Sequence, residues 1–243
     1  ALDIQERTLG GDHPLVGTTL MRLAIYRTQQ GRLEGVEAMH RRNLAIKEKA
    51  YGPTHDEVGT ALNNLGNFLH ATGRSDEAIA VLQRSVDVHV AAYGSRHSGA
   101  AWPLTNLGVV LRETDRLAEA RTYLGRSIAL MDDGGDSGGF DTLLFFTLVQ
   151  QAQVEAALGN ESALAPVVER ALATWQLNPE TNDPRLASSL SAIGRLLAGR
   201  HRCAQAVPLL QRAQRMFDEH RTPPDRDAPD LRGLLAKCSV ADS

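Results

Sequence analysis

The chain has 243 residues, 42% of them apolar and 23% charged, and a formal net charge of -3. That is enough apolar content for a folded core, and the slight acidic excess removes the basic surface that nucleic-acid phosphates select. The longest strongly apolar run, Leu143 to Val149, falls far short of the roughly 20 residues that cross a bilayer, and no charged-then-apolar leader opens the chain. Neither membrane nor nucleic acid is expected as a partner. Cys203 and Cys238 are too few and too isolated for a disulfide framework or a cysteine zinc site, so a reducing, cytoplasmic setting is expected.

Internal self-similarity decides the architecture. Residues 1–10 read as the end of a helix, because Leu2 and Ile4 stand 42 residues before Leu44 and Ile46. The chain is therefore expected to begin inside a repeat, as part of a longer protein. Leu9-Gly10, Tyr51-Gly52 and Tyr93-Gly94 are each followed, three residues after the glycine, by His13, His55 and His97, again 42 apart. Leu20, Leu62, Leu104, Leu148 and Leu190 keep one register, in steps of 42, 42, 44 and 42. Arg42, Arg84, Arg126, Arg170 and Arg212 obey the same steps. Five units result, at about 15–51, 57–93, 99–132, 141–177 and 185–221.

Each unit reads as two helices. In the second, Leu62, Leu65 and Leu69 mark one helical face, Thr72-Gly73-Arg74 breaks it, and Ala78, Leu82 and Val86 resume it. The turn falls on Gly31, Gly73, Asp115, Gly159 and His201, mostly residues that accept left-handed backbone; His201 suits it least. Small positions recur in the first helix (Ala24, Gly66, Gly108, Ala152, Gly194) and the second (Val36, Ala78, Ala120, Leu164, Ala206), letting the pair approach closely. Units one and four fit least well. Asp132 to Gly139, where the spacing grows, lacks the alternating carboxylates and closing Glu of a calcium loop and reads as a connection. After unit five, Thr222-Pro223-Pro224-Asp225 stops the helix, and 229–239, with Leu231, Leu234 and Leu235, is expected to form an amphipathic cap.

Leu62-Asn63-Asn64-Leu65-Gly66, Thr72-Gly73-Arg74, Glu77-Ala78 and Gln83-Arg84-Ser85-Val86 resemble the 42-residue tetratricopeptide repeats of kinesin light chains and their bacterial relatives. The connections Gly11-Asp12-His13-Pro14 and Gly52-Pro53-Thr54-His55 are similar to the inter-repeat loop of that variant, and the Leu-x-x-Leu-Gly step argues against HEAT or armadillo repeats of like length. The resemblance covers roughly residues 1–218. It implies an all-α fold, a right-handed superhelical solenoid of antiparallel helix pairs built as a single domain over 1–243, with the first helix of each pair lining a concave side.

No catalytic constellation stands out. His13, His55 and His97 recur one per unit, too far apart for a shared zinc, and read as structural. Cys203 has no paired His, Ser85, Ser127 and Ser188 lie in helical repeats, and Gly134 to Gly139 lacks the Lys and the preceding strand of a phosphate loop. The chain is expected not to be an enzyme and to need no cofactor or metal. The register arginines are expected on a solvated or inter-repeat pairing face. The unusual feature is a polar face on the first helices: Thr60, Asn63, Asn64, Asn67 and His70 in unit two; Trp102, Thr105, Asn106, Val109 and Arg112 in unit three. Mid-helix asparagine is costly for a helix unless it is used, and an amide both donates and accepts, as gripping a peptide backbone requires. The resemblance implies peptide contact at Asn64 and Asn106. Arg22, Arg112 and Arg195, with Gln150 and Gln153, extend the face and favour an acidic or carboxylate-bearing ligand. The expected peptide-binding set is Arg22, Asn63, Asn64, Asn67, Thr105, Asn106, Arg112, Gln150, Gln153 and Arg195. The expected function is a protein-interaction scaffold holding an extended peptide or partner; the rival is self-association or restraint of a fused effector domain.

Overall fold

A computed structural model describes residues 2–95, 97–133, 142–177, 179, 181, 183, 186–220 and 231–241. Every regular element among them is helical, so the fold is an all-α helical repeat. The chain divides into two compact units, 1–135 and 136–243. The first contains α1 (Leu2–Leu9), α2 (Pro14–Gln29), α3 (Val36–Tyr51), α4 (Asp56–Ala71), α5 (Ser75–Tyr93), a short 3-10 turn (Ser98–Ala100), α6 (Ala101–Glu113) and α7 (Leu117–Asp133). The second contains α8 (Thr142–Ala157), α9 (Glu161–Gln176), α10 (Ala187–Ala198), α11 (Cys203–His220) and α12 (Leu231–Ala241). Helices α2/α3, α4/α5, α6/α7, α8/α9 and α10/α11 pack as hairpins, while α12 packs on α10 and α11. The Asp132 to Gly139 connection beyond Asp133, and Thr222 to Asp225, lie outside the described residues.

Each hairpin turns the same way because one residue adopts left-handed backbone: Gly31, Gly73, Asp115 (φ 60), Gly159 and His201 (φ 59). The following N–H then reaches back into the last turn of the first helix, as Arg32 to Arg27 O, Arg74 to Leu69 O, Arg116 to Leu111 O, Asn160 to Glu155 O and Arg202 to Leu197 O, all at 2.8–3.0 Å. This closes the orphan carbonyls of the first helix in every repeat. At Asp115 and His201 the side chain adds a strain of about 1–2 kcal/mol that glycine avoids.

The recurring loop has an equally local cause. His13, His55 and His97 cap the next helix, their Nδ1 atoms accepting from Leu15 N (3.2 Å), Glu57 N (3.3 Å) and Gly99 N (3.0 Å). Tyr51 stacks on His55 and Tyr93 on His97, with ring centroids 4.6 and 4.4 Å apart. An imidazole here does what Ser or Asp usually does at a helix start. Two register arginines tie successive second helices together: Arg42 to Glu6 at 2.6 Å, and Arg84 to Glu48. Arg42 and Arg212 also donate to the loop carbonyls of Gly11 (3.0 Å) and Thr181 (2.9 Å).

Within a hairpin, the small position of the first helix meets a leucine of the second. A Cβ on Gly66, Gly108 or Gly194 would come within 2.6–2.7 Å of Leu82, Leu124 or Leu210. Phe68 of the second repeat crosses to pack with Ala24 and Val36 of the first, so neighbouring repeats share one core.

The cysteine expectation is corrected. Cys203, opening α11, and Cys238 on α12 form a disulfide, their Cα atoms 5.2 Å apart, which fastens the terminal helix to the last hairpin. The pairing arises because α12 folds back onto α11, which the repeat period does not encode. The cytoplasmic expectation loses this ground. Among the described residues no helix is long and apolar enough to cross a membrane.

Candidate binding face

In the first unit the first helices of successive repeats lie side by side, α2 against α4 and α4 against α6. Their shared face is stitched by side chains one register step apart. Asn64 Nδ2 donates to Met21 Sδ at 3.2 Å, Asn106 Nδ2 to Asn63 Oδ1 at 2.9 Å, and His70 Nε2 bonds Glu113 Oε2 at 2.7 Å. Asn63, Asn64 and Asn106 are half-buried and Asn67 is exposed. Each of Asn64 and Asn106 uses amide hydrogen on a neighbour in these bonds, and the carbonyl oxygen takes no part in them. The asparagines therefore hold the helices in register and present acceptors at once, which answers their cost in mid-helix.

Charge on this face is locally balanced. Arg112 donates to Glu113 at 2.8 Å, and burial pushes its guanidinium below the usual range. The His70 hydrogen bond, working against burial and aided by the Arg112 charge, holds the Glu113 carboxyl below the usual carboxylate range. Arg22 is exposed on α2. A cavity of about 330 Å³ opens between α2 and α4, lined by Ile25, Thr28, Gln29, His40, Asn64, Asn67, Phe68 and Ala71. It brings together two of the expected residues, Asn64 and Asn67, beside His40 of α3.

Thr105 is a correction to the expected set. It is fully buried, and its Oγ1 sits 2.8 Å from Ser127 Oγ, which also donates to Ala101 O at 2.9 Å. The residue belongs to the contact between α6 and α7. In the second unit, Gln150 and Gln153 stand on α8 and Arg195 on α10, and these helices pack together. Gln150 is 7% exposed. Gln153 Oε1 and Arg195 Nη1 are buried atoms without a hydrogen-bond partner among the described residues.

Profiles described as tetratricopeptide repeat match residues 16–57, 37–88 and 57–133. The nearly identical TPR-like repeats of a kinesin light chain assigned in Podosopora anserina superpose with a TM-score of 0.65 at 17% identity, covering 87% of this chain and 99% of that one. BtubC (BKLC) from P. vanneervenii superposes with a TM-score of 0.69 at 16% identity, covering 93% of this chain and 90% of that one. Residues 16–133 are tetratricopeptide repeats, and the fold is that of kinesin-light-chain repeats. Aspartyl phosphate phosphatase F from Bacillus subtilis shares the fold at a TM-score of 0.60 and 10% identity, over 95% of this chain and 61% of that one. A search of curated proteins finds no match. With these repeats the chain is a protein-interaction scaffold.

Two buried polar clusters of these repeats are not anticipated by the sequence pattern. In the fourth repeat Glu155 is 1% exposed and accepts from Gln151 Nε2 at 2.6 Å and Asn160 Nδ2 at 3.0 Å. Asn160 in turn caps α9 through Ala163 N at 3.4 Å. In the first repeat Lys47 is 4% exposed and reaches Glu57 at 2.6 Å and Thr18 Oγ1 at 3.1 Å, pinning α3 to α2 and α4. For the fourth repeat the available signal is a break in register: Gln151 and Glu155 occupy the places of Leu107 and Leu111.

Proposed function

We propose that the face formed by α2, α4 and α6 holds an extended peptide segment of a partner protein, without catalysis. The observation that carries this reading is the row of amides, Asn63, Asn64, Asn67 and Asn106, beside the 330 Å³ cavity at Asn64 and Asn67. An extended peptide offers alternating N–H and C=O groups, and carboxamides answer both. The ion pairing of Arg112 with Glu113 leaves the face near neutrality there, so main-chain recognition weighs more than charge; exposed Arg22 is the place for an acidic ligand residue.

The test is capture of partners from a lysate of the source cells with wild-type protein and with Asn64→Ala/Asn106→Ala in parallel. A partner held by wild type and lost, or weakened at least about tenfold, by the variant supports the reading. Equal capture by a variant of unchanged helicity sinks it.

A further inference from the structure

Repeats two, three and five build their hairpins on a glycine under a leucine: Gly66/Leu82, Gly108/Leu124 and Gly194/Leu210. Repeat one has Ala24 and His40 at these register places. A leucine at 40 would meet the Ala24 Cβ at the separation that glycine elsewhere avoids, whereas an imidazole is flat enough to lie beside it. Shape therefore explains why leucine is missing, but not why a polar ring replaces it. His40 is 2% exposed, and its Nδ1 has no hydrogen-bond partner among the described residues. A buried polar atom without a partner costs free energy that an apolar residue of similar size would not.

The cost has a use if a ligand supplies the missing group. His40 lines the cavity between α2 and α4, with Ile25 and Phe68 as its apolar walls and the amides of Gln29, Asn64 and Asn67 around them. No side chain lining it is charged at neutral pH, since burial pushes His40 down to about 4. Arg22, three residues before Ile25, does not line it.

We propose that this cavity is a subsite for one uncharged, amide-bearing side chain of the bound peptide, a glutamine or asparagine, with His40 as the specificity-determining residue. The proposal rests on the peptide-binding reading of this face. A carboxylate or an ammonium would lose its hydration against walls holding no opposite charge. An aliphatic chain would leave the imidazole and three amides unanswered, and a site built to hydrogen-bond discriminates strongly against ligands that cannot. Tyrosine or tryptophan can donate once, but sets a ring against the amides. A primary amide carries two donor hydrogens and an acceptor, matching an imidazole acceptor and the carboxamides together.

The test is NMR on the full chain, titrated separately with the N-acetyl amides of glutamine, glutamate, leucine, lysine and tyrosine. The readouts are the backbone amides of Ile25, Asn64 and Asn67 and the His40 ring. The glutamine derivative is expected to give saturable shifts at about fivefold lower concentration than any of the other four, the equivalent of one added neutral hydrogen bond. Ala24→Gly/His40→Leu, which restores the glycine-leucine pair of the other repeats, is expected to fold and to lose that preference. A glutamate, leucine, lysine or tyrosine derivative that matches glutamine, no saturable shift at all, or a preference surviving in the double variant would overturn the proposal. The wild-type comparison decides even if the variant does not fold. Loss of partner capture in Asn106→Ala, outside the cavity, without glutamine selectivity would remove the subsite and leave the groove; intact capture in that variant and in Asn64→Ala/Asn106→Ala would remove the groove as well.

Discussion

Repeat one (α2 and α3) and repeats two and three (α4 to α7) share a register but are packed differently. In the latter pair Gly66 and Gly108 lie under Leu82 and Leu124, and Ser85 and Ser127 donate across the hairpin to Gly59 O (2.7 Å) and Ala101 O (2.9 Å). In repeat one the same places hold Ala24, His40 and Asn43; Asn43 is 1% exposed, and neither its Nδ2 nor its Oδ1 has a partner among the described residues. The second helix also starts late. Gly35 takes left-handed backbone (φ 71), α3 begins only at Val36, and Leu33 is left 45% exposed. A second opening of about 590 Å³ lies there, sharing Phe68 with the cavity beside His40. A poorly satisfied layer persists because its neighbour supplies packing, here Phe68 over Ala24 and Val36. The repeat that departs from the pattern also lines these two openings.

The comparison extends to repeat four, where Gln151 and Glu155 displace two core leucines, and it gives the largest expected effect. Gln151→Leu removes a charge-assisted hydrogen bond from a carboxylate that is 1% exposed, so it should cost about 2–3 kcal/mol in chemical denaturation. Gln151→Leu/Glu155→Leu, which copies Leu107 and Leu111 of repeat three, should recover most of that loss. A double variant less stable than the single one would show that Glu155 is held for more than its local bonds.

A smaller effect tests the glycine-leucine pairs. Gly66→Ala puts a Cβ 2.6 Å from Leu82 Cγ and should destabilise by about 1–3 kcal/mol through overpacking, despite alanine's better helix propensity. Ala24→Gly in repeat one opens a gap beside His40 and should cost about 1 kcal/mol, mostly from helix propensity. Equal losses in thermal melts would mean that the two cores are not packed by different rules.

Much of the repeat architecture is legible in the sequence. The turn residues are, because a hairpin of this length demands one left-handed residue and only a few types supply it cheaply; Asp115 and His201 stand out by register alone. The capping histidines and pairing arginines read as structural because they recur with the repeat. The candidate face is legible only in part. Helical spacing places Thr105 beside Asn106, but its burial is decided by Ser127 on the other helix, a partner that periodicity cannot name. The Cys203–Cys238 bond depends on where a non-repeating helix docks. His40 can be read as an exception, yet the cavity at its side follows from the spacing of α2 and α4, which no single residue encodes.

The last expected effect is a pH dependence that originates in repeat one. Burial pushes the His40 ring from its ordinary value near 6.5 to about 4. Between those values the unfolded chain binds a proton that the folded chain refuses, so folding stability rises with pH across the window; it is complete above about 6.5 and falls as pH drops toward about 4. Because the ring is 2% exposed, little of this is screened by solvent, and roughly 1–2 kcal/mol should be lost between pH 7 and pH 5. Carboxylates held low by their partners, such as Glu37 beside Arg41 and Arg74, respond mainly below this range. Denaturant titrations of wild type and Ala24→Gly/His40→Leu at pH 7, 6 and 5 isolate the histidine: the difference between the two proteins should shift toward the variant as the solution is acidified. Parallel curves would mean that His40 accepts a proton in the folded state, and the imidazole beside the cavity would then meet a ligand as a cation, which would favour a carboxylate over a carboxamide.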